Sequence, residues 1–206
     1  MCIRDRLYKH LRTGNKKYKK RYGKKDRRGQ IIDKVSIEKR PKEANNRERF
    51  GDWEADLIVG KDHKGAILTM VERTTGFLIM RKTDGKKSAS VVKEMINGLK
   101  PYKNSLMSIT NDNGKEFINH KKLSRSLKTP VFFCHPYASW ERGLNEYTNK
   151  LIRQYIPKSM DLRFISSKKI RAVQNKLNRR PRQKLKFKNP KEIFMRNLDQ
   201  KLALAS

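Results

Sequence analysis

Acidic residues, cysteine and long apolar runs are what this sequence has least of. Only 20 Asp and Glu stand against 52 Lys and Arg in 206 residues, a formal net charge of +32. A domain this basic repels itself, and its natural counterion is a polyanion. Nucleic acid leads, ahead of an anionic membrane surface or a ribosomal-type RNA-binding role, because each neutralised phosphate releases condensed counterions. Two cysteines, Cys2 and Cys134, exclude a disulfide framework. The histidines are scattered at His10, His63, His120 and His135, so no Cys/His zinc spacing exists. Cys134 ends the apolar run at 131–134 and reads as core. No run of about 18 apolar residues is present to span a membrane, and no signal peptide is visible. The implied setting is cytoplasmic, reducing and nucleoid-associated. Hydrophobic residues reach 35% and gather between 53 and 156, enough for one core.

Residues 1–6 suit no element and are set aside. Residues 12–28 form a glycine-punctuated basic run with Tyr18 and Tyr22 interleaved. It reads as a phosphate-tracking arm, with Lys19, Lys20 and Arg21 as DNA contacts; a solvated tail that orders on binding is compatible with the same composition. Strands are expected over 53–60, 66–71 and 77–82, the last two joined by the hairpin-length ERTTG. Apolar positions 91, 92, 95, 96 and 99 predict a helix over 88–99, with Ser88 and Ser90 as candidate caps. Further strands are expected over 106–110 and 131–134. Further helices are expected over 119–127, 139–156 and 167–179, with a last one starting at Asn189-Pro190. Three antiparallel strands followed by strand–helix alternation predict an α/β fold, a mixed five-stranded sheet flanked by helices. The expected organisation is a basic arm or linker over 1–50, a folded α/β core over 51–160 and a helical basic extension over 161–206.

Three acids stand out. Asp56 sits mid-strand in WEADLIVG, on the face shared with Glu54 and Ile58. Strands deplete Asp, and a solvent-facing reading suits Glu54 better than Asp56. Asp112 follows a strand in TNDNGKEF, where site residues concentrate, although Asn-Asp-Asn-Gly is also an ordinary turn. Glu146 lies on the expected 139–156 helix. There Trp140, Leu144, Tyr147, Leu151 and Tyr155 form one stripe, and Arg142, Glu146, Asn149 and Arg153 cluster opposite. The plain reading of Glu146 is a solvated face with an i,i+4 ion pair; the functional one is a carboxylate beside phosphate-gripping guanidinium groups. Gly143, inside the expected helix, permits close backbone approach. Trp140 reads as core more readily than as a base-stacking platform. Carboxylates suit this chemistry because Mg²⁺ takes oxygen ligands and keeps several waters, and paired ions stabilise both attacking and leaving oxygens of a phosphodiester.

The stretches GDWEADLIVGK (51–61), TNDNGKEF (110–117), HPYASWERGLNEYTNKLIRQYIPK (135–158) and LNRRPRQKLKFKNPKEIF (177–194) together resemble the IS30 family of insertion-sequence transposases. The interval from Asp112 to Glu146 leaves 33 intervening residues (146 − 112 − 1), the DD(33)E spacing associated with that family. The resemblance covers essentially 7–195. It implies a ribonuclease-H-like, retroviral-integrase-like fold and two Mg²⁺ ions, replaceable by Mn²⁺, held by Asp56, Asp112 and Glu146. It also implies cleavage that frees a 3′-hydroxyl at the element end, and attack of that hydroxyl on target DNA. Double-stranded DNA and a homo-oligomer on it are the implied partners, with no membrane. The family's usual N-terminal helix-turn-helix has no counterpart here, so the chain reads as N-terminally truncated. Ala55 and Tyr147 stand where the family has Gly and Asn. Arg142, Lys150 and Arg153 are candidate contacts near the scissile phosphate. Arg179, Arg180 and Arg182 are candidates for flanking backbone, against a helix C-terminal dipole role. Two alternatives stay open: a non-catalytic DNA-binding remnant acting as an inhibitor, and a nuclease of the same fold without strand transfer.

Overall fold

The structure, a computed structural model, describes residues 31–136 and 138–203; the arm with Lys19, Lys20 and Arg21 lies outside the described residues. The described residues contain six strands: β1 (Val35–Ser36), β2 (Asp52–Val59), β3 (Ala66–Glu72), β4 (Leu78–Thr83), β5 (Ser108–Asn111) and β6 (Val131–Phe133). They form one sheet in the order β1-β6-β5-β2-β3-β4. β2, β3 and β4 make an antiparallel meander, while β5, β6 and β1 add on in parallel. Among the described residues six α-helices accompany them: α1 (Lys42–Asn46), α2 (Ser88–Leu99), α3 (His120–Leu127), α4 (Gly143–Ile152), α5 (Ser167–Arg179) and α6 (Pro190–Ala203). No helix among the described residues is long and apolar enough to cross a membrane.

The mixed sheet with flanking helices is the expected architecture, with one strand more than the five expected. β1 is only two residues long and pairs through Val35↔Phe132 and Ser36↔Phe133. Two residues carry no periodicity, so a strand of this kind is set by its distant partner and not by its own pattern. The 88–99 and 167–179 helices fall where the apolar spacing puts them. Ser88 and Ser90 do not cap α2: the Ser90 hydroxyl accepts from Asp84 N–H and Ser88 from Asn119 N–H.

Alternation along β2 separates two cores. Trp53 and Ala55 face a layer with Val91, Val92, Met95 and Leu99 of α2. Phe194 of α6 completes it, 4.1 Å from the Phe77 ring and 5.8 Å from Trp53, distances typical of favourable aromatic pairs. Ile58 faces the opposite layer, with Leu151 and Ile152 of α4 and Ile170, Val173 and Leu177 of α5. Both faces of the sheet are therefore covered, as in sheets with parallel strands generally.

That second layer overturns the solvent-facing reading of Glu54. Glu54 is fully buried. It pairs with buried Arg73 in the β3–β4 turn, and its other oxygen accepts from Asn145 N–H at 3.0 Å. A carboxylate at a helix's first turn satisfies an otherwise unbonded N–H and favours the helix dipole. Glu54 thus fixes where α4 begins against β2. In the same turn Glu72 accepts from the N–H groups of Gly51, Thr74 and Thr75. Gly76 closes it at φ +69°, a conformation glycine adopts without steric cost.

Candidate active site

β2 and β5 run parallel in the register Glu54↔Thr110. Two residues further on stand Asp56, within β2, and Asp112, just past the end of β5. Asp112 follows the last residue of β5, and its Oδ1 accepts from Gly114 N–H at 2.9 Å, fixing the turn. Asp56 is oriented by two donors: Leu57 N–H to Oδ1 at 2.9 Å and the Asn149 amide to Oδ2 at 2.8 Å.

Arg142 lies between the two aspartates. Its Nη1 stands 3.3 Å from Asp56 Oδ1, and its Nη2 donates to Asp112 Oδ2 at 3.3 Å. Nη1 also donates to the Ala55 carbonyl at 3.2 Å. Its side chain is only 12% exposed. Burial pushes the Asp56 carboxyl upward, Arg142 pulls it back and the like charge of Asp112 pushes it up again. Arg142 itself is held charged, the two aspartates outweighing its desolvation.

Glu116 is a third acid at this point, and sequence reading missed it. A Cβ on Gly114 would meet Glu116 Oε2 at 2.6 Å and Asp112 Oδ1 at 2.8 Å, so both carboxylates flank the same glycine. Burial raises the Glu116 carboxyl, with Asp112 and Asp56 adding to the rise. The available signal was its place four residues after Asp112, on the same strand-end loop.

Glu146 lies in the first turn of α4, about half exposed and 3.7 Å from Lys150. Among the described residues, no three His, Cys, Asp or Glu side chains form a group able to hold a metal ion. The helix carrying Glu146 is shorter than expected: residues Ser139–Arg142 form a 3-10 turn, and α4 proper runs from Gly143 to Ile152. Arg142 ends that turn and caps α4 with φ −120° and ψ 36°, away from α-helical values, and its side chain reaches Asp56 and Asp112. Gly143 makes no close backbone approach, since a Cβ there would meet nothing within 4 Å. Trp140 is not core; it is 75% exposed. The expected polar stripe is real but faces the sheet. Arg142, Asn149 and Arg153 reach Ala55, Asp56 and Val59 along β2, and Arg153 donates to the Val59 carbonyl at 2.8 Å.

The remaining basic candidates separate. Lys150 is exposed beside Glu146. Arg179 and Arg180 are exposed at the end of α5. Arg182 donates to the Leu177 carbonyl at 3.3 Å, the helix C-terminal role. Cys134 is buried, as expected, and its thiol is pushed up to about 12.

The donor chemistry at Asp56 and Asp112 fits a hard divalent ion. Both offer carboxylate oxygens, and both already converge on one shared cationic group, Arg142.

No family model matches the chain. It is 46% identical over 195 residues to the transposase for insertion sequence element IS4351 of Bacteroides fragilis, covering 95% of this chain and 60% of that protein. It is 36% identical over 193 residues to transposase InsI for insertion sequence element IS30C of Escherichia coli (strain K12), covering 92% of this chain and 50% of that one. The chain thus spans about half to three-fifths of the length of these relatives. Among solved structures, the catalytic core domain of BIV integrase superposes with a TM-score of 0.58 at 17% identity, over 73% of this chain and 97% of that one. The chain is therefore a relative of the IS30-family insertion-sequence transposases over nearly all its length, folded like a retroviral integrase core.

Proposed function

We propose that this chain is the catalytic core of a DNA transposase that cuts and joins DNA with divalent-metal assistance, Asp56, Asp112 and Glu146 being the carboxylates. The observation that carries the reading is the convergence of Asp56 and Asp112, from neighbouring parallel strands, on one guanidinium. Glu146 is assigned as the third because it lies three residues before Asn149, whose amide reaches Asp56; residues so spaced share one side of a helix. Mg²⁺, or Mn²⁺ in its place, bound by these carboxylates would supply Lewis-acid stabilisation of the charge that builds on the transferring phosphoryl group.

The chain's own residues do the rest. Leu57 N–H and the Asn149 amide hold the Asp56 carboxylate in one orientation, and the Gly114 N–H holds Asp112. Such fixed dipoles need no reorganisation when charge develops. In the cleavage step a water oxygen attacks phosphorus, the P–O3′ bond breaks, and the departing oxygen takes a proton as a 3′-hydroxyl. In strand transfer that hydroxyl attacks a target phosphodiester, losing its proton as the target's O3′ departs and gains one. Exposed Lys150, Arg179 and Arg180 are assigned to DNA backbone, and the arm with Lys19, Lys20 and Arg21 likewise. The DNA ends, the target and a homo-oligomeric assembly on them belong to the same proposal.

A second reading, DNA occupancy without cleavage, is favoured by Arg142, which already occupies the space between the two aspartates and pairs with both. Incubation of the protein with supercoiled plasmid in Mg²⁺, Mn²⁺ or chelator, beside Asp112→Asn and Glu146→Gln, decides between them. Metal-dependent nicking lost in both variants at unchanged DNA affinity is the expected result. Tight binding without nicking in either metal selects occupancy, and nicking that survives both substitutions overturns the assignment.

A further inference from the structure

On the flank of α4 away from Asp56 lies a cavity of about 390 Å³. Its cations come from three separate stretches of chain: Arg47 just after α1, Arg73 in the β3–β4 turn, and Arg182 and Lys184 after α5. Leu144 and Tyr147 of α4 form its wall. The nearby acids are already committed. Glu54 is taken by Arg73, and Glu72 accepts from the N–H groups of Gly51, Thr74 and Thr75. Among the described residues, neither Arg47 nor Lys184 has an ion-pair partner. Arg47 is placed by an unusual backbone: it ends α1 in the left-handed region at φ 61°, where its N–H bonds to Ala44 and Glu43 carbonyls. A non-glycine residue in that region carries a cost, and here it sets the course of the chain into the cavity wall.

We infer that this cavity is a second anion site that takes a backbone phosphate of nucleic acid, outside the aspartate pair. Arg73 is itself spent on Glu54, so the positive excess in this concavity comes from Arg47 and Lys184, and an added anion offsets it. Consistent with that excess, the Lys184 ammonium is pushed down by burial and by Arg47 and Arg73. A phosphodiester is the anion of choice because guanidinium forks match its oxygens and because its polymer repays each contact with counterion release. The cavity is also built onto α4, whose other side reaches Asp56 through Asn149. One helix therefore joins the two sites. The inference rests on the DNA-processing reading and adds to it a place where a strand is gripped away from the reacting phosphate.

The test uses the full chain and a short fluorescein-labelled DNA duplex, with anisotropy titrations across a salt series. An Arg47→Gln/Lys184→Gln double variant is compared with the charge-matched control Lys93→Gln/Lys100→Gln, in α2 and just after it, on the opposite face of the sheet. The cavity variant is expected to lower the slope of log affinity against log salt by about 0.9 for each phosphate contact removed, and the control to leave it nearly unchanged. Equal slopes for both variants overturn the inference, provided their melting curves match the parent's. Anionic phospholipid vesicles serve as a second probe. Loss of vesicle binding with duplex binding intact would assign the cavity to a membrane surface and also overturn it. Parent protein that binds duplex and nicks plasmid, with a cavity variant indistinguishable from control, removes this inference alone. A parent that binds no duplex removes the DNA-processing reading beneath it.

Discussion

Glu54 and Asp56 sit two residues apart on the same face of the same strand, yet they live in different chemistry. Glu54 is fully buried, and its oxygens are taken up by Arg73 and the first turn of α4. Asp56 keeps 24% of its side chain exposed and faces a second carboxylate, with Arg142 between them. The strand supplies the same geometry to both. What differs is whether the partner is part of the core or stands at an opening, and that separates a structural acid from one that can exchange its counterion.

The sharpest way to break the contrast is to remove the partner on the buried side. Arg73→Ala removes the ion-pair partner of buried Glu54, and a loss of about 3–5 kcal/mol is expected. Replacing both, as Glu54→Leu with Arg73→Met, should cost much less, since no charge is then stranded; urea denaturation of the single and double variants checks the difference. Activity is expected to fall in the single variant through α4, because Glu54 fixes the first turn of that helix.

On the open side the expected sign reverses. The Asp56 carboxyl is raised in the fold, so the stability it contributes is fully present below an aspartate's ordinary value and is lost as pH rises through the raised one. Asp56→Asn is then expected to be at least as stable as the parent at neutral pH, with the advantage shrinking on acidification. Thermal melts over an acid-to-neutral series test this, and a variant less stable at neutral pH would contradict it.

Arg142→Gln sharpens the comparison from the cation's side. Losing the group that holds Asp56 down should push its carboxyl further up, read by carboxyl-carbon NMR titration. Asp112→Asn should move it the other way, because a like charge is removed.

The smallest effect concerns His135, a pairing with no burial behind it. It lies 2.7 Å from Glu141 and 3.2 Å from Glu38, and the hydrogen bond to Glu141 foremost raises its pKa. Its stabilisation should be present below the ordinary histidine value and fade as pH rises through the raised one. In Glu141→Gln the ring's NMR titration should shift back toward that ordinary value.

Asp56 stood out as an acid in an apolar strand, but Asp112 sits in what is also an ordinary polar turn, and the family resemblance rather than local pattern put the two together as candidates. Sequence reading located α2 and α5 by an unbroken apolar period. Glu54 was misread because period-two alternation was taken to mean one wet face. The neighbouring Leu57, Ile58 and Val59 are apolar on both parities, the mark of a strand covered on two sides. Arg142 was placed near the site but assigned to DNA, since nothing in a helical wheel tells that the chain leaves helical geometry there. Trp140 was counted as core on the same assumption, for a helix that starts only at Gly143. Glu116 and β1 depend on which distant segments meet, which no local window records.

The pairing of β1 with β6 has a consequence for how the chain is made. Val35 meets Phe132 across 132 − 35 = 97 positions, so a ribosome delivers one half of that ladder long before the other. The sheet's outer edge accordingly cannot be finished until β6 has emerged, well after residues 35–36. Until it closes, β6 presents unpaired amides, and residues 35–36 of a neighbouring copy emerging from the same message fit that edge in the same register. Exchange of this short strand between nascent chains is thus a route to a swapped assembly, set by synthesis order rather than by any surface of the finished fold.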